Sequence, residues 1–156
     1  AVMYLPYDLP PYRPPSEAYS VLIRATRGCP WNRCTFCGMY KEESFEIKSP
    51  EEIKKDIDAA LEFYGPRAWR FFIGDSNSLV MKTADLVEVL HYLYKKFPNI
   101  KRVTSYARAK TVRRKNPEDL IRLKEAGLTR LHVGLETGDA GLLAFIKKGA
   151  TPAQMI

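Results

Sequence analysis

Three cysteines fall within nine consecutive positions of this 156-residue chain, and they are all the cysteines that it contains. They are Cys29, Cys34 and Cys37 in the stretch RGCPWNRCTFC, separated by four residues and then by two. Thiolates are nucleophiles and ligands for soft metals. Their clustering beside glycine and proline indicates a loop whose thiols act together.

Several kinds of site use thiols, and most of them fit this spacing poorly. Three inert buried thiols have no reason to cluster. A redox pair of Cys34 and Cys37 has the two-residue gap of dithiol oxidoreductases but leaves Cys29 without a role. A structural zinc site needs a fourth ligand, and only His91 or His132 is offered by the sequence, one in a predicted helix and one in a predicted strand.

An iron–sulfur cluster with three protein ligands accounts for the odd number directly. Three thiolates bind three irons, and the fourth iron keeps an open position for an exogenous ligand, as a catalytic metal site requires. We favour this interpretation, and the other kinds of site stay open at this point. Under it, we expect the three sulfur atoms to converge on a common point even without metal.

The elements that position this loop alternate along the chain. Apolar and β-branched runs predict strands at residues 19–26, 69–75, 100–107 and 129–138. Helical spacing and capping residues predict helices at 49–65, 83–97, 116–127 and 139–149, with another beginning at 151–152. Strand–helix units in succession predict a parallel α/β sheet with right-handed crossovers. The cysteine loop follows the first strand, at the end where barrel active sites are built.

The fourth predicted strand has one polar and one apolar face. His132, Gly134 and Glu136 alternate with Leu131, Val133 and Leu135. A strand covered by helices on both faces would be apolar throughout, so the polar face predicts a barrel interior that holds a ligand. Since four units cannot close a barrel, we expect this strand to be an unpaired edge with exposed apolar surface. We expect residues 1–18 to form a proline-rich arm, extended and irregular, and 19–156 a core domain that is incomplete at its carboxyl end.

The charge and hydropathy of the sequence limit the kinds of partner that we expect for this protein. The net charge is +7, and much of the excess lies in residues 101–115. Such a run is either a solvated loop and helix start or a surface for phosphate or nucleic acid. No run approaches the roughly 20 apolar residues of a membrane span, and the amino terminus lacks a signal-peptide pattern. We therefore expect a cytoplasmic protein with no membrane partner.

The loop GCPWNRCTFC resembles the cluster loop of the radical S-adenosylmethionine (radical SAM) superfamily, and the resemblance extends from about residue 18 to the last residue. Further similar stretches are FIGDS after the second strand, TSYAR in the third, and GLETGDAGLLAFIKKG across the fourth strand and helix. The common family spacing has three residues in the first gap, where this chain has four. The resemblance implies part of a TIM-like barrel, with about four strand–helix units present.

The resemblance also implies an activity. A 4Fe–4S cluster on Cys29, Cys34 and Cys37 would reductively cleave S-adenosylmethionine to a 5′-deoxyadenosyl radical, which abstracts hydrogen from a substrate. The cofactors carry this chemistry while the protein positions them. An electron donor such as flavodoxin or ferredoxin is implied as a partner. The substrate and the catalytic residues stay unassigned.

By position in the family pattern, five residues would contact S-adenosylmethionine. Phe36 would lie against the adenine, and Glu136 would reach the ribose hydroxyls. Gly74 and Asp75 would contact the methionyl amino group, and Lys148 would pair with the methionyl carboxylate.

Each of these residues also has a purely structural interpretation. Phe36 would be packed in the core, Gly74 and Asp75 would form an ordinary turn, and Lys148 would be a favourable cation at a helix end. Glu136 would form an ion pair with an arginine inside the sheet; the arginines considered are Arg24, Arg70 and Arg130. The alternative function is non-enzymatic: a zinc-stabilised binding module whose basic run contacts nucleic acid or another polyanion.

Overall fold

A four-stranded parallel sheet forms the centre of the computed structural model, which describes residues 14–155. The strands are β1 (Val21–Arg24), β2 (Thr26–Arg27), β3 (Glu46–Ile47), β4 (Arg70–Gly74), β5 (Arg102–Ala107) and β6 (Arg130–Val133). The parallel sheet has the order β1-β4-β5-β6, and β2 and β3 form a separate antiparallel pair. The predicted α/β fold, with parallel strands adjacent in chain order, is confirmed.

The helices connect these strands. They are α1 (Pro50–Tyr64), α2 (Thr83–Lys96), α3 (Ala109–Arg114), α4 (Pro117–Glu125), α5 (Ala140–Phe145) and α6 (Pro152–Met155), with 3₁₀ turns at Pro15–Glu17 and Ser78–Val80. The Ser49 side chain accepts a hydrogen bond from the Glu52 N–H at the start of α1, and Gly65 ends that helix with φ +78°. Helix α3, in the basic run, and the pair β2–β3 were not predicted. None of the helices in residues 14–155 combines the length and apolar character needed to cross a membrane.

One face of the sheet carries the apolar core. Alternate strand residues such as Ile23, Phe71 and Val103 pack under α1, α2 and α4. The rings of Phe71 and Phe97 lie 4.7 Å apart, and both side chains are fully buried. Each such side chain contributes about 1.5–3 kcal/mol on burial, so these contacts hold the helices on one side of the sheet.

The opposite face is more polar, as predicted. The ring of Tyr106 lies 5.0 Å from Phe72 and 6.2 Å from His132, so the three rings share this face. The Nε2 atom of His132 is buried and has no hydrogen-bond partner within residues 14–155. His132 therefore faces away from the helices, toward the side that forms the interior of a barrel.

The amino ends of the strands are joined by one buried carboxylate. Glu17 is fully buried and forms ion pairs with Arg102 and Arg130. Thr104 donates a 2.9 Å hydrogen bond to Glu17, and Ser20 also donates to it. Burial alone would raise the pKa of Glu17, but these hydrogen bonds and charges together lower it.

The proline-rich arm is only partly described. Residues 14–18 contain a short 3₁₀ turn that places Glu17 under the sheet, rather than the extended chain that the prolines predict. The rest of that predicted arm, residues 1–13, lies outside the described residues.

The fourth strand of the sheet, β6, lies at an edge. It pairs with β5 and with no other strand in the part of the chain that the structure describes. Large apolar side chains beside it are exposed: Val133, Leu135, Leu142 and Phe145. The expected unpaired edge with uncovered apolar surface is confirmed. The strand ends at Val133, earlier than predicted, and Glu136 has φ +61° in the following turn.

Two glycines at helix ends provide a stability test. Gly65 and Gly127 both have positive φ, but a Cβ at Gly65 meets nothing within 4 Å, whereas one at Gly127 would lie 2.2 Å from the Tyr94 ring. Gly65 has φ +78° and ψ +170°, a region essentially restricted to glycine, so we expect Gly65→Ala to lower the free energy of unfolding by about 1–3 kcal/mol through backbone strain alone. Gly127→Ala should cost at least about 1 kcal/mol more, because the ring must also move. Urea unfolding measures both, and equal losses would contradict the close contact.

Candidate functional site

The cysteine loop, residues 28–45, leaves the carboxyl end of the sheet between β2 and β3. Cys29, Cys34 and Cys37 are free and partly buried, and the Asn32 N–H donates to Cys29 Sγ at 3.4 Å. Burial raises the pKa of the Cys34 thiol, and negative charge on the other two cysteines raises it further. The three thiols are therefore close enough to interact electrostatically.

The expected convergence of the three sulfurs on a common point stays a prediction. Within residues 14–155, no group of three or more His, Cys, Asp or Glu side chains is arranged to hold a metal ion. The donor chemistry nevertheless fits an iron–sulfur cluster, because three free thiols share one loop and cationic side chains lie near Cys34.

A buried ion pair holds the base of this loop. Arg24, at the end of β1, contacts Asp75, just after β4, with Nε and Nη2 at 2.9 and 2.7 Å from Oδ2. The same oxygen accepts from the Gly28 N–H at 2.8 Å, and Arg24 also pairs with Glu43. Arg24 and Asp75 are only 3% and 1% exposed, so little water screens the pair. Both ends of the loop are thus tied to neighbouring strands.

Gly28 fits this arrangement because it is a glycine. Its φ is +76°, and a Cβ there would lie 3.2 Å from the Ser44 carbonyl oxygen on the other side of the loop. A larger residue would strain the backbone and push the two ends of the loop apart.

The turn at Gly74 and Asp75 has a structural task in this protein. The Asp75 carboxylate holds Arg24 and Gly28, and the Gly74 carbonyl accepts from the Ala25 N–H at 2.6 Å. Burial raises the pKa of Asp75, an effect partly offset by Arg24 and the Gly28 N–H. The predicted contact of this turn with a methionyl amino group stays a prediction.

Glu136, Lys148 and Phe36 lie together at the same end of the sheet. Lys148 Nζ is 2.9 Å from Glu136 Oε1 and 6.0 Å from the centre of the Phe36 ring. The Lys148 charge partly offsets the rise that burial causes in the pKa of Cys34. A Cβ at Gly134 would lie 2.6 Å from Glu136 Oε1, so this glycine leaves room for the ion pair.

The structural interpretations of these residues are partly wrong. Phe36 is 55% exposed and is not packed in the core. The ion-pair partner of Glu136 is Lys148, not an arginine of the sheet. Those arginines have other contacts: Arg24 pairs with Asp75, Arg130 pairs with Glu17, and Arg70 lies over the Trp69 ring. The contacts predicted between Phe36, Glu136 and Lys148 and S-adenosylmethionine stay predictions.

Residue 108 is a site residue that the sequence reasoning did not identify. Arg108 is half-buried and follows β5 directly, and its charge partly offsets the rise that burial causes in the pKa of Cys34. Its position at the carboxyl end of a strand, within the stretch TSYAR, was the signal available in the sequence.

The basic run that contains Arg108 does not form one continuous surface. Arg102 pairs with Glu17 at the amino ends of the strands, Arg108 lies beside the cysteine loop, and Lys115 donates to the Met81 carbonyl at 3.2 Å.

Comparisons with known proteins agree with this fold. The model of the radical SAM superfamily matches residues 23–156. Two similar solved structures are those of the cobalamin-dependent S-adenosylmethionine radical enzyme OxsB. The structure with aqua-cobalamin and S-adenosylmethionine bound is 24% identical, with a TM-score of 0.66 over 87% of this chain and 21% of that chain. The structure with aqua-cobalamin bound is 23% identical, with a TM-score of 0.64 over 86% of this chain and 21% of that chain.

At this identity the structural similarity supports the fold alone. The chain spans about a fifth of the length of the OxsB chains that it matches. No curated protein matches it.

The buried pair at the base of the loop predicts a large stability effect. Asp75→Asn keeps the shape of the side chain but removes the charge opposite Arg24, so the free energy of unfolding should fall by about 3 kcal/mol. Glu46→Gln is the matched control, because Glu46 pairs with Arg27 at 2.8 Å in an exposed position, where loss of an ion pair costs less than about 1 kcal/mol. Equal small losses in urea unfolding would contradict the role of Asp75.

Proposed function

The chain belongs to the radical SAM superfamily, and on this premise we propose that it is the cluster-bearing part of an enzyme that cleaves S-adenosylmethionine and abstracts hydrogen from a substrate. The observation that carries the proposal is the grouping of the cysteine loop with Phe36, Glu136 and Lys148 at the carboxyl end of the sheet. In this proposal residues 19–156 belong to one core domain.

Cys29, Cys34 and Cys37 are the proposed cluster ligands. When bound, a 4Fe–4S cluster and S-adenosylmethionine would supply the electron and the 5′-deoxyadenosyl group for hydrogen abstraction. The open position left by a three-cysteine ligand set supports this assignment. The N–H of Asn32, directed at Cys29 Sγ, stabilises negative charge on that sulfur.

Lys148 and Glu136 have complementary roles in the proposed S-adenosylmethionine site. The Lys148 ammonium group would bind the methionyl carboxylate, and the Glu136 carboxylate would accept hydrogen bonds from the ribose hydroxyls. Their ion pair orients both side chains before the ligand arrives, and both remain partly accessible, at 16% and 32% exposure. The exposed ring of Phe36 offers an apolar surface for the adenine.

Gly74 and Asp75 would bind S-adenosylmethionine mainly through the backbone atoms of their turn. The Asp75 carboxylate is already occupied by Arg24 and Gly28. In this proposal the methionyl amino group therefore contacts the backbone of the turn, whose position the carboxylate fixes.

An acidic electron donor, such as flavodoxin or ferredoxin, is the proposed protein partner. A cavity of about 540 Å³ beside the cysteine loop is lined by Trp31, Leu143 and basic side chains. The basic residues are Arg33, Lys110 and Lys147. Positive charge next to the cluster loop favours encounter with a negatively charged donor.

Metal content tests the proposal most directly. Anaerobically reconstituted protein should be brown and bind about four irons and four sulfides per chain. Replacing any one cysteine with alanine should remove most of this iron, whereas Ser44→Ala, in the same loop, should not. A colourless protein that binds one zinc would instead support the zinc-stabilised binding module.

Ligand binding tests the residues assigned to S-adenosylmethionine. Lys148→Ala and Glu136→Ala should each weaken its binding about 10- to 150-fold, the effect of losing one charge-assisted contact, with iron content unchanged. Lys147→Ala removes the same charge one position away and should bind nearly as wild type, measured by isothermal titration calorimetry. If both site variants bind as wild type does, these assignments are wrong.

A further inference from the structure

The cysteine loop is bound to a turn that belongs to a different strand–helix unit. After α5, the backbone carbonyls of Ile146 and Lys147 accept hydrogen bonds from the loop. The donors are the Thr35 N–H at 2.9 Å and the Trp31 Nε1–H at 2.7 Å. Carbonyls at the end of a helix lack partners within that helix, so the loop supplies the partners that they need.

Arg108 supplies the next donor along this turn. Its Nη2 lies 3.4 Å from the Lys148 carbonyl oxygen, and its guanidinium lies 4.9 Å from the centre of the Trp31 ring. The indole also packs closely on the turn, because a Cβ at Gly149 would lie 2.5 Å from Trp31 Cζ2. Arg108 and Trp31 together therefore join the cysteine loop to the end of α5.

In the part of the chain that the structure describes, the charge of Arg108 is not balanced by a carboxylate. Within residues 14–155 no Asp or Glu forms an ion pair with it, although the side chain is half-buried. A guanidinium stays charged in proteins, and placing a charge in a partly buried position is costly without an opposite charge nearby. Once deprotonated, Cys29 and Cys34 would be anions close enough to interact electrostatically with Arg108.

We infer that Arg108 is a positioning residue for the cluster: with its guanidinium over the Trp31 ring, it holds the cysteine loop against the Ile146–Gly149 turn and balances the negative charge that the loop carries when a cluster is bound. The inference rests on the proposed function, because it assigns a role toward that cluster. It also links the cluster loop to Lys148, since Arg108 contacts the backbone of that residue.

The charge is tested by the reduction potential of the cluster. Full-length protein carrying Arg108→Gln is reconstituted with iron and sulfide and titrated with reductant while the reduced cluster is followed by electron paramagnetic resonance. Without the positive charge, the ratio of reduced to oxidised cluster at a fixed applied potential should fall about tenfold. Arg114→Gln is the control, because it removes the same charge from an exposed arginine at the last residue of α3, the helix that Arg108 precedes.

The contact with Trp31 is tested by Arg108→Lys, which keeps the charge but removes the guanidinium group from above the ring. This variant should keep the wild-type potential and lose its iron to a chelator several-fold faster than wild type. If Arg108→Gln does not fold, Arg108→Lys still tests the inference. Iron retention by Arg108→Lys equal to that of wild type would overturn the positioning role.

The remaining outcomes separate this inference from the proposed function. If wild-type protein binds no cluster, the proposed function fails and the inference fails with it. If wild type binds a cluster and Arg108→Gln has the wild-type potential, or shifts it no more than Arg114→Gln does, only the role of Arg108 is overturned.

Discussion

The site depends on one buried ion pair between neighbouring parallel strands. Arg24 and Asp75 lie 51 residues apart in the chain, yet their side chains meet at the carboxyl end of the sheet and together contact both ends of the cysteine loop. A buried charge is stable only with its partner in place. The loop can therefore keep its position only while β1 and β4 remain paired.

The two faces of the sheet have different functions: one carries the apolar core, and the other carries polar and aromatic side chains. The apolar face is buried under α1, α2 and α4, which leaves the opposite face to carry polar and aromatic side chains such as Tyr106 and His132. Glu17 joins the amino ends of β5 and β6 on that second face, and the cysteine loop lies at the carboxyl ends. Parallel strands bring their carboxyl ends to one edge of the sheet, so residues from separate units meet there without any unit holding the whole site.

The last strand–helix unit both binds the cysteine loop and carries the ion pair of Glu136 and Lys148. Its turn accepts hydrogen bonds from Thr35 and Trp31 of the cysteine loop, and its Lys148 side chain pairs with Glu136. A shift of the loop would therefore move the backbone of Ile146 and Lys147, to which the loop is hydrogen-bonded, and with it the adjacent Lys148. The unit also leaves β6 as an edge strand with exposed apolar side chains within the part of the chain that the structure describes.

Features that depend on near neighbours in the chain were determined by the sequence alone. The cap at Ser49, the end of α1 at Gly65, the order of the parallel strands and the grouping of three thiols all follow from short-range patterns or from strict alternation of elements. The partners of charged side chains were decided only by the tertiary structure. Glu136 pairs with Lys148 instead of an arginine, and Arg108 meets the cysteine loop, because several basic residues were available to each anion and only packing selects among them. The arrangement of the thiols also belongs to this second group, since side-chain directions in an irregular loop are set by contacts that no local pattern encodes.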